Sequence, residues 1–458
     1  MAIPLNAASR LGIEPVGRLL LRFSVPAITG MLVNALYNVV DRIWVGRGVD
    51  EIALGGLSLA MPLMTITMAF SMLFGVGAAN LISMRLGQNR KEDAENALNH
   101  CFFLLVISAL LIMTIKLIFL DQILSFMGAE AGSQALDYAR RYYRIILLGQ
   151  VFFMVSFGLS HCTRAQGFPA ITMISMLIGA GLNMILDPLF IITFGWGVEG
   201  AAWATVISQA AASVWILSFN LGKKAVIHLR PGSFRFSVRT LLDIMVFGSS
   251  QCLLQLAIAS VQFLLNWSMS AYGGVMMGEG GGDVALSGLN IVMSIVMLCV
   301  MPVFGINQGA QPIFGYNYGA KQYDRVRKTF LLAISAATAV CLTGFALALL
   351  FPHSIVRLFA PDGSPELLAF APLAMRIIMF TMPLNGLTIV STNFFVVTGR
   401  PKTAIFLSMT RQVIALVPCL IIFGRIWGLW GVVFAMPVAD CFTFLVVGIM
   451  ILRELKRL

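Results

Sequence analysis

Apolar runs of twenty or more residues recur along the whole chain, and this constrains the fold more than any other feature. About 20 apolar residues in a helix cross the roughly 30 Å hydrocarbon layer of a bilayer. Lipid offers backbone groups no hydrogen bonds, so each run is expected to be a transmembrane helix. Gly, Pro and charged residues punctuate the runs and predict helices at about 18–45, 52–84, 94–120, 138–160, 168–194, 198–221, 238–270, 284–314, 327–351, 367–396, 402–424 and 428–452. Twelve such spans take up most of the 458 residues and leave little for a separate soluble domain. Composition agrees, with 59% hydrophobic residues, 11% charged residues and a mean hydropathy of +0.90. Soluble domains carry roughly half apolar and a quarter charged residues. The expected fold class is all-α integral membrane.

The net charge of +11 does not point to nucleic acid, because the 31 basic residues are scattered over short connections instead of gathered on one face. With the N-terminus placed inside, 21 of them fall on the cytoplasmic side and nine, including Lys116 and Arg376, on the other, while Arg411 lies within a span. The positive-inside rule then puts both termini in the cytoplasm of a multi-pass protein of the cell's inner (plasma) membrane. Residues 1–16 lack an apolar core with a small-residue cleavage site, so no removable signal is expected. The seven cysteines lie in or beside apolar segments with no CxxC pair and read as buried thiols. No GxSxG or HExxH occurs, and the Gly-rich stretch Gly273–Gly282 lacks a phosphate-loop pattern and reads as a flexible outer connection. Neither an enzyme nor a resident cofactor is expected, and the chain is expected to act as a monomer among membrane lipids.

The chain also repeats itself at an offset near 232. Ala53-Leu54-Gly55-Gly56-Leu57 matches Ala285-Leu286-Ser287-Gly288-Leu289, and Gly167-Phe168-Pro169 matches Gly399-Arg400-Pro401. At 231, Gly197-Val198-Glu199-Gly200-Ala201 meets Gly428-Leu429-Trp430-Gly431-Val432. Six spans map onto six, so the halves share one orientation, a parallel repeat about a pseudo-two-fold axis along the membrane normal. The expected division is an N-lobe at 1–222, a basic cytoplasmic linker at 223–239 and a C-lobe at 240–458. Two bundles of this kind can rock about a central cavity, and alternating access is the function that follows.

Three acids lie inside apolar segments, Asp41, Asp187 and Asp440. An ionised carboxylate there costs at least ~2.5–3.5 kcal/mol, so such residues are retained for a reason. Asn34, Tyr37, Asn38 and Asp41 follow helical spacing and form one polar stripe, which must face the bundle interior. Asn183 and Asp187 share a face of the fifth span, and Pro188 denies the Met184 carbonyl its helical donor. Thr205 adds a hydroxyl from the sixth span. This oxygen set suits a proton or Na⁺ held at Asp41 and Asp187, and two adjacent acids titrate as one coupled unit. Pro26 offers a bending point in the first helix. Inert polar glue between helices is the alternative, but two acids with no basic partner in the region make costly glue. Asp440 reads differently, as the ion-pair partner of Arg411 in the neighbouring span. Gln251, Gln255, Gln262, Asn266 and Asn290 on the seventh and eighth spans are candidate cavity-lining residues.

Pro26 followed by Tyr37-Asn38-Val39-Val40-Asp41-Arg42-Ile43-Trp44-Val45-Gly46 resembles the first-helix signature of the MATE (multidrug and toxic compound extrusion) family. Gln166-Gly167 with Pro169, Asn183 to Pro188, and Gly197 to Thr205 are similar to its fifth- and sixth-helix motifs, and the likeness runs along nearly the whole chain. Arg411 with Asp440 resembles the MepA-like bacterial branch. The resemblance implies the MATE fold of two six-helix lobes around a V-shaped cavity. It also implies export of small organic, often cationic or amphipathic compounds in exchange for H⁺ or Na⁺. The family's N-lobe cation site carries over to Asp41, Asn183, Asp187 and Thr205, with a fourth-helix tyrosine, Tyr142 or Tyr143, in support. The acids that some members carry in the seventh and tenth helices are missing here. A flippase for a lipid or lipid-linked glycan is the competing reading, but its cavity would need several cationic side chains, and only Arg411 and Arg376 lie deep.

Overall fold

The protein is described by a computed structural model that covers residues 8–48, 51–126, 134–230, 232, 235–361 and 363–456. It is almost wholly helical, and no strand occurs among the described residues. After the short α1 (Arg10–Ile13) come α2 (Val16–Gly48), α3 (Glu51–Gly87) and α4 (Lys91–Ile118). A short α5 (Leu120–Phe126) leads to α6 (Gln134–Ala165), then α7 (Pro169–Pro188), which widens into a π-helical turn at Leu189–Thr193, and α8 (Gly197–Leu221). The second half repeats the order with α9 (Val238–Met277), α10 (Gly281–Gly319), α11 (Tyr323–Leu350) and the short α12 (Pro352–Phe359). It continues with α13 (Pro365–Met379), α14 (Met382–Val397), α15 (Pro401–Met409), a π-helical stretch Thr410–Leu416 and α16 (Val417–Leu455).

Among the described residues twelve spans follow from the lengths and breaks. α13 and α14 form one span bent by 47°. Pro401–Glu454 runs for 54 residues, about 80 Å as a straight helix, far more than a bilayer needs. Its residues Arg411 and Asp440 touch at 2.6 Å, although in a straight helix 29 residues of separation would hold them about 40 Å apart. The chain therefore folds back at Gly428, whose φ of 58° only glycine adopts easily, and yields two spans.

The repeat is written into the backbone. Left-handed residues occur in register, with Asn89 (φ 62°) opposite Lys321 (φ 58°) and Gly167 (φ 100°) opposite Gly399 (φ 78°), each 232 apart. Gly197 (φ 55°) stands opposite Gly428 at 231. Pro169 and Pro401 then open the next helices, where a missing N–H costs nothing. The short helices α5 and α12 also correspond, although the apolar pattern had given neither. The glycine-rich stretch departs from the expected flexible connection. α9 runs on to Met277 and α10 begins at Gly281, so only Gly278–Gly280 turn the chain, with two glycines at positive φ.

The halves meet at the end that carries both termini, where α3 and α10 finish and α9 begins. There is no oil–water contrast between helices in lipid, so close approach depends on small residues and hydrogen bonds. A side chain at Gly77 would strike the Ile244 carbonyl, and one at Gly248 the Leu73 carbonyl. Gly87 and Gly319 meet Tyr316 and Met84 in the same way, while Gly305 and Gly309 on α10 lie against Ile28 and Ser24 on α2. Buried Asn80 and Gln311 join across the seam at 2.5 Å, and Arg85 pairs with Asp243 at 3.4 Å. Leu11, Leu19, Leu20 and Phe23 pack into the core of the second half, and Arg325 ties down the carbonyls of Leu11 and Glu14. The basic connection is docked as well. Val226, Ile227 and Leu229 are buried against the first half, and Gln166, Glu95 and Asn99 accept hydrogen bonds from its backbone.

Candidate functional site

The polar stripe of α2 faces protein, as its spacing required. Leu21, Val25, Leu32 and Leu36 are exposed on one side, while Gly30, on the opposite face with Asn34 and Asp41, packs on Met176 of α7. Tyr37 and Asp41 are half-buried, Asn34 is exposed on the same inward face, and the Asn38 side chain lies outside the described residues.

Asp41 and Asp187 come within hydrogen-bonding range of each other. Asp187 is fully buried and makes no ion pair among the described residues. Asn183, one turn earlier on α7, donates to Asp187 at 3.2 Å and to the Thr205 hydroxyl of α8 at 3.4 Å. Tyr142 of α6 reaches the same cluster and hydrogen-bonds Thr205, and Tyr37 lies beside both acids. Six residues from four helices, α2, α6, α7 and α8, separated by up to 168 positions, thus converge on one point. Two buried oxygens there, Asn183 Oδ1 and Asp187 Oδ2, accept no hydrogen bond from the described residues. With the Thr205 hydroxyl they form an all-oxygen set of the kind that suits a proton or a hard monovalent cation. Among the described residues no group of three or more His, Cys, Asp or Glu has the spacing to hold a metal ion. Pro26 and Pro188 sit where expected, Pro26 inside an unbroken α2 and Pro188 at the end of α7, where the π-helical turn begins.

The site has no mirror in the second half. At an offset of 232, Tyr37, Asp41, Tyr142, Asn183 and Asp187 fall opposite Met269, Gly273, Ala374, Ala415 and Cys419. The fold therefore does not need these polar groups.

In the second half Asp440 takes hydrogen bonds from Arg411 Nε at 2.6 Å and from Thr381 Oγ1, at the bend between α13 and α14, at 3.0 Å. The ion pair read from the sequence is present. The amide face of α9 also takes shape. Gly248, which touches α3, is followed along one face by Cys252, Gln255, Gln262 and Asn266, which become more exposed away from the seam. Gln262 donates to Asn266 at 2.9 Å, Gln251 and Gln255 are half-buried, and Asn290 is exposed on α10.

Two sequence expectations need correction. Of the cysteines read as buried, Cys441 is exposed on a side of α16 that it shares with exposed Phe442, and Cys299 and Cys419 are only partly buried. Lys116, assigned to the outer side, is 4% exposed and sits among α3, α4 and α6 with its Nζ 2.6 Å from both the Leu63 carbonyl and Thr67 Oγ1. Its place two residues from a helix end made it look like a loop charge. The buried Thr67, Tyr143 and Gln150 at matching depth were the available signal.

Comparison with known proteins agrees with this fold. The model of the MatE family matches residues 26–189 and 259–421. The multidrug export protein MepA of Staphylococcus haemolyticus is 26% identical over 424 residues, covering 92% of this chain and 90% of that protein. MepA of Staphylococcus aureus is 26% identical over 429 residues, covering 93% and 91%. Among solved structures, an outward-facing multidrug resistance MATE transporter of the MOP superfamily superimposes with a TM-score of 0.89 at 27% identity over 98% of both chains. A MOP superfamily transporter from Pyrococcus furiosus, described as having a binding pocket of reversed polarity, gives 0.90 at 26% identity over 100% of both. The family model spans well over half of the chain, the repeat and spans are those of a transporter, and the chain belongs to the MatE family of membrane transporters.

Proposed function

We propose that the protein exports small organic compounds, often cationic or amphipathic, in exchange for H⁺ or Na⁺, and that the exchange site is formed by Asp41, Asn183, Asp187 and Thr205 in the first half. The observation that carries this reading is the pair Asp41–Asp187, brought within hydrogen-bonding range in a buried setting where Asp187 has no ion pair among the described residues. Two acids so placed repel each other unless a cation sits between them. Binding of a proton or Na⁺ removes that repulsion and lets α2 pack differently, with Pro26 as its bending point. Because the start of α2 lies against Gly305 and Gly309 of α10, its shape bears on the seam between halves. The cation site and the seam are thereby coupled, as antiport requires.

The names of the staphylococcal relatives support a multidrug substrate range. The exposed and half-buried amides Gln255, Gln262, Asn266 and Asn290 give the cleft hydrogen-bonding groups without fixed charge, which favours varied organic ligands. In this reading the termini are cytoplasmic, the protein sits in the plasma membrane, the sealed end faces inward, and the units 1–222 and 240–458 rock against each other. The unit is a monomer, since the cluster and the cleft are complete within one chain. A flippase has less support, because Arg411 is committed to Asp440.

The test is transport in proteoliposomes. With an imposed H⁺ or Na⁺ gradient, the wild type is expected to move a fluorescent organic cation and Asp41→Asn to move none. Gradient-independent movement, or full activity in Asp41→Asn, defeats the reading. Imposing each gradient separately identifies the ion.

A further inference from the structure

At the end that carries both termini, the second half holds a cavity of about 180 Å³ lined by Phe395, Arg400, Thr403, Met450, Arg453 and Glu454. It lies where the end of α14, the start of α15 and the end of α16 come together, and none of the residues assigned to the exchange site lines it. Tyr318, at the end of α10, stands beside its Arg400 and Glu454. A water needs roughly 10–15 Å³ of such space, so the cavity has room for a group of several heavy atoms.

Its charges are not balanced from within. Glu454, 7% exposed, pairs with Arg400, and Arg453 makes no ion pair among the described residues. Two arginines against one carboxylate leave a net charge of +1. Only Nη1 of Arg400 is engaged by Glu454, so four of its five N–H donors remain for another acceptor. With the Arg453 guanidinium and the Thr403 hydroxyl they form a donor set of the kind that recognises a phosphate.

The fold does not require arginines here. At an offset of 232, Phe395, Arg400 and Thr403 fall opposite Thr163, Phe168 and Ile171. At the 231 offset that relates α16 to α8, Met450, Arg453 and Glu454 fall opposite Phe219, Gly222 and Lys223. The first half fills this corner with the rings of Phe168 and Phe219, whose centroids are 4.9 Å apart. The second half leaves it open and places two guanidinium groups around it.

The surface next to the cavity distinguishes a lipid from a free phosphate compound. Leu445, Ile449 and Leu452 follow helical spacing along the side of α16 that leads to Arg453, and all three are exposed. Phe406, one turn into α15 from Thr403, is exposed as well. A cationic pocket thus continues into apolar surface on helices long and apolar enough to cross a membrane, the order of a headgroup followed by its acyl chains.

We propose that this cavity binds the headgroup of an anionic phospholipid from the leaflet at the end that carries both termini, with its phosphodiester between Arg400, Arg453 and Thr403 and its acyl chains along Leu445, Ile449, Leu452 and Phe406. The single negative charge of a phosphodiester cancels the +1 of the pocket, whereas a zwitterionic lipid brings a cation of its own. Seated there, the lipid ties the start of α15, where Gly399 (φ 78°) turns the chain, to the end of α16. The site is independent of the exchange reading.

The experiment is native mass spectrometry of the full chain released from detergent micelles that contain phosphatidylglycerol or phosphatidylcholine. The wild type is expected to hold one phosphatidylglycerol about fivefold more tightly than phosphatidylcholine, the effect of one basic residue on an anionic lipid. Arg453→Gln is expected to abolish that preference. Thr403→Phe, which fills the cavity and leaves every charge in place, is expected to do the same and carries the test if Arg453→Gln does not fold. Lys223→Gln, which removes an exposed cation at the equivalent place in the first half, is expected to keep it. A full preference in either cavity variant, or its loss in Lys223→Gln, overturns the proposal and leaves only a basic end that attracts anionic lipid without a site. Glycerol 3-phosphate, which has the phosphate without the chains, is expected not to displace the bound lipid at tenfold excess. Displacement would assign the cavity to a free phosphate compound and overturn the lipid.

Discussion

Removing one member of a buried ion pair costs more than removing both, because the survivor stays charged without a partner. Asp440 holds Arg411 and Thr381 together at the point where three segments of the second half meet. Asp440→Ala is therefore expected to destabilise the protein by about 3 kcal/mol, the low end of the usual range because Arg411 keeps 36% of its side-chain surface exposed. The double variant Arg411→Met/Asp440→Leu is expected to recover most of that loss in a thermal melt in detergent. A double variant as unstable as the single one would show that the pair does more than satisfy itself. The acids were legible in the sequence because a carboxylate in an apolar run stands out from its neighbours. Lys116 was not, since a charge near a helix end looks the same in sequence whether it snorkels to water or turns inward.

Helix ends and breaks depend on single backbone positions. Asn89, Lys321, Gly167 and Gly399 close helices with left-handed residues, and after the two glycines Pro169 and Pro401 open new ones. The short helices α5 and α12 and the π-helical turn after Pro188 escaped the apolar pattern, because a period of 3.6 residues needs more turns than they supply. At the seam, Gly248 lets α9 lie on the Leu73 carbonyl of α3. Gly248→Val is expected to force the two helices apart, since the obstacle is backbone and cannot rotate away. Faster amide hydrogen exchange at 73–87 and 241–248, with unchanged exchange in α11, is the expected outcome. Unchanged exchange at the seam would mean that the contact is not a constraint.

The whole molecule is sealed at one end by contacts that are individually weak. An interhelical hydrogen bond in a membrane averages about 0.6 kcal/mol, so the Asn80–Gln311 bond and the Arg85–Asp243 pair hold the seam without locking it. In the proposed alternating-access cycle such a seam has to open and close. A cysteine pair at positions 80 and 311 is expected to cross-link under mild oxidation, to stop transport and to release it on reduction. Transport that continues through a complete cross-link would rule out opening at this end.

The sequence by itself determined the solvent, the number of spans, the two-fold repeat and the acids of the first half. Each of these is local or periodic, a matter of run length, spacing or a charge out of place, and lipid leaves the backbone few alternatives. Only the tertiary structure decided which polar residues meet. The convergence of Asp41, Tyr142, Asn183, Asp187 and Thr205, the inward turn of Lys116 and the docking of residues 225–230 onto the first half all depend on which helix faces lie together. That is set by glycine contacts between segments far apart in the chain, and no spacing within one segment records it.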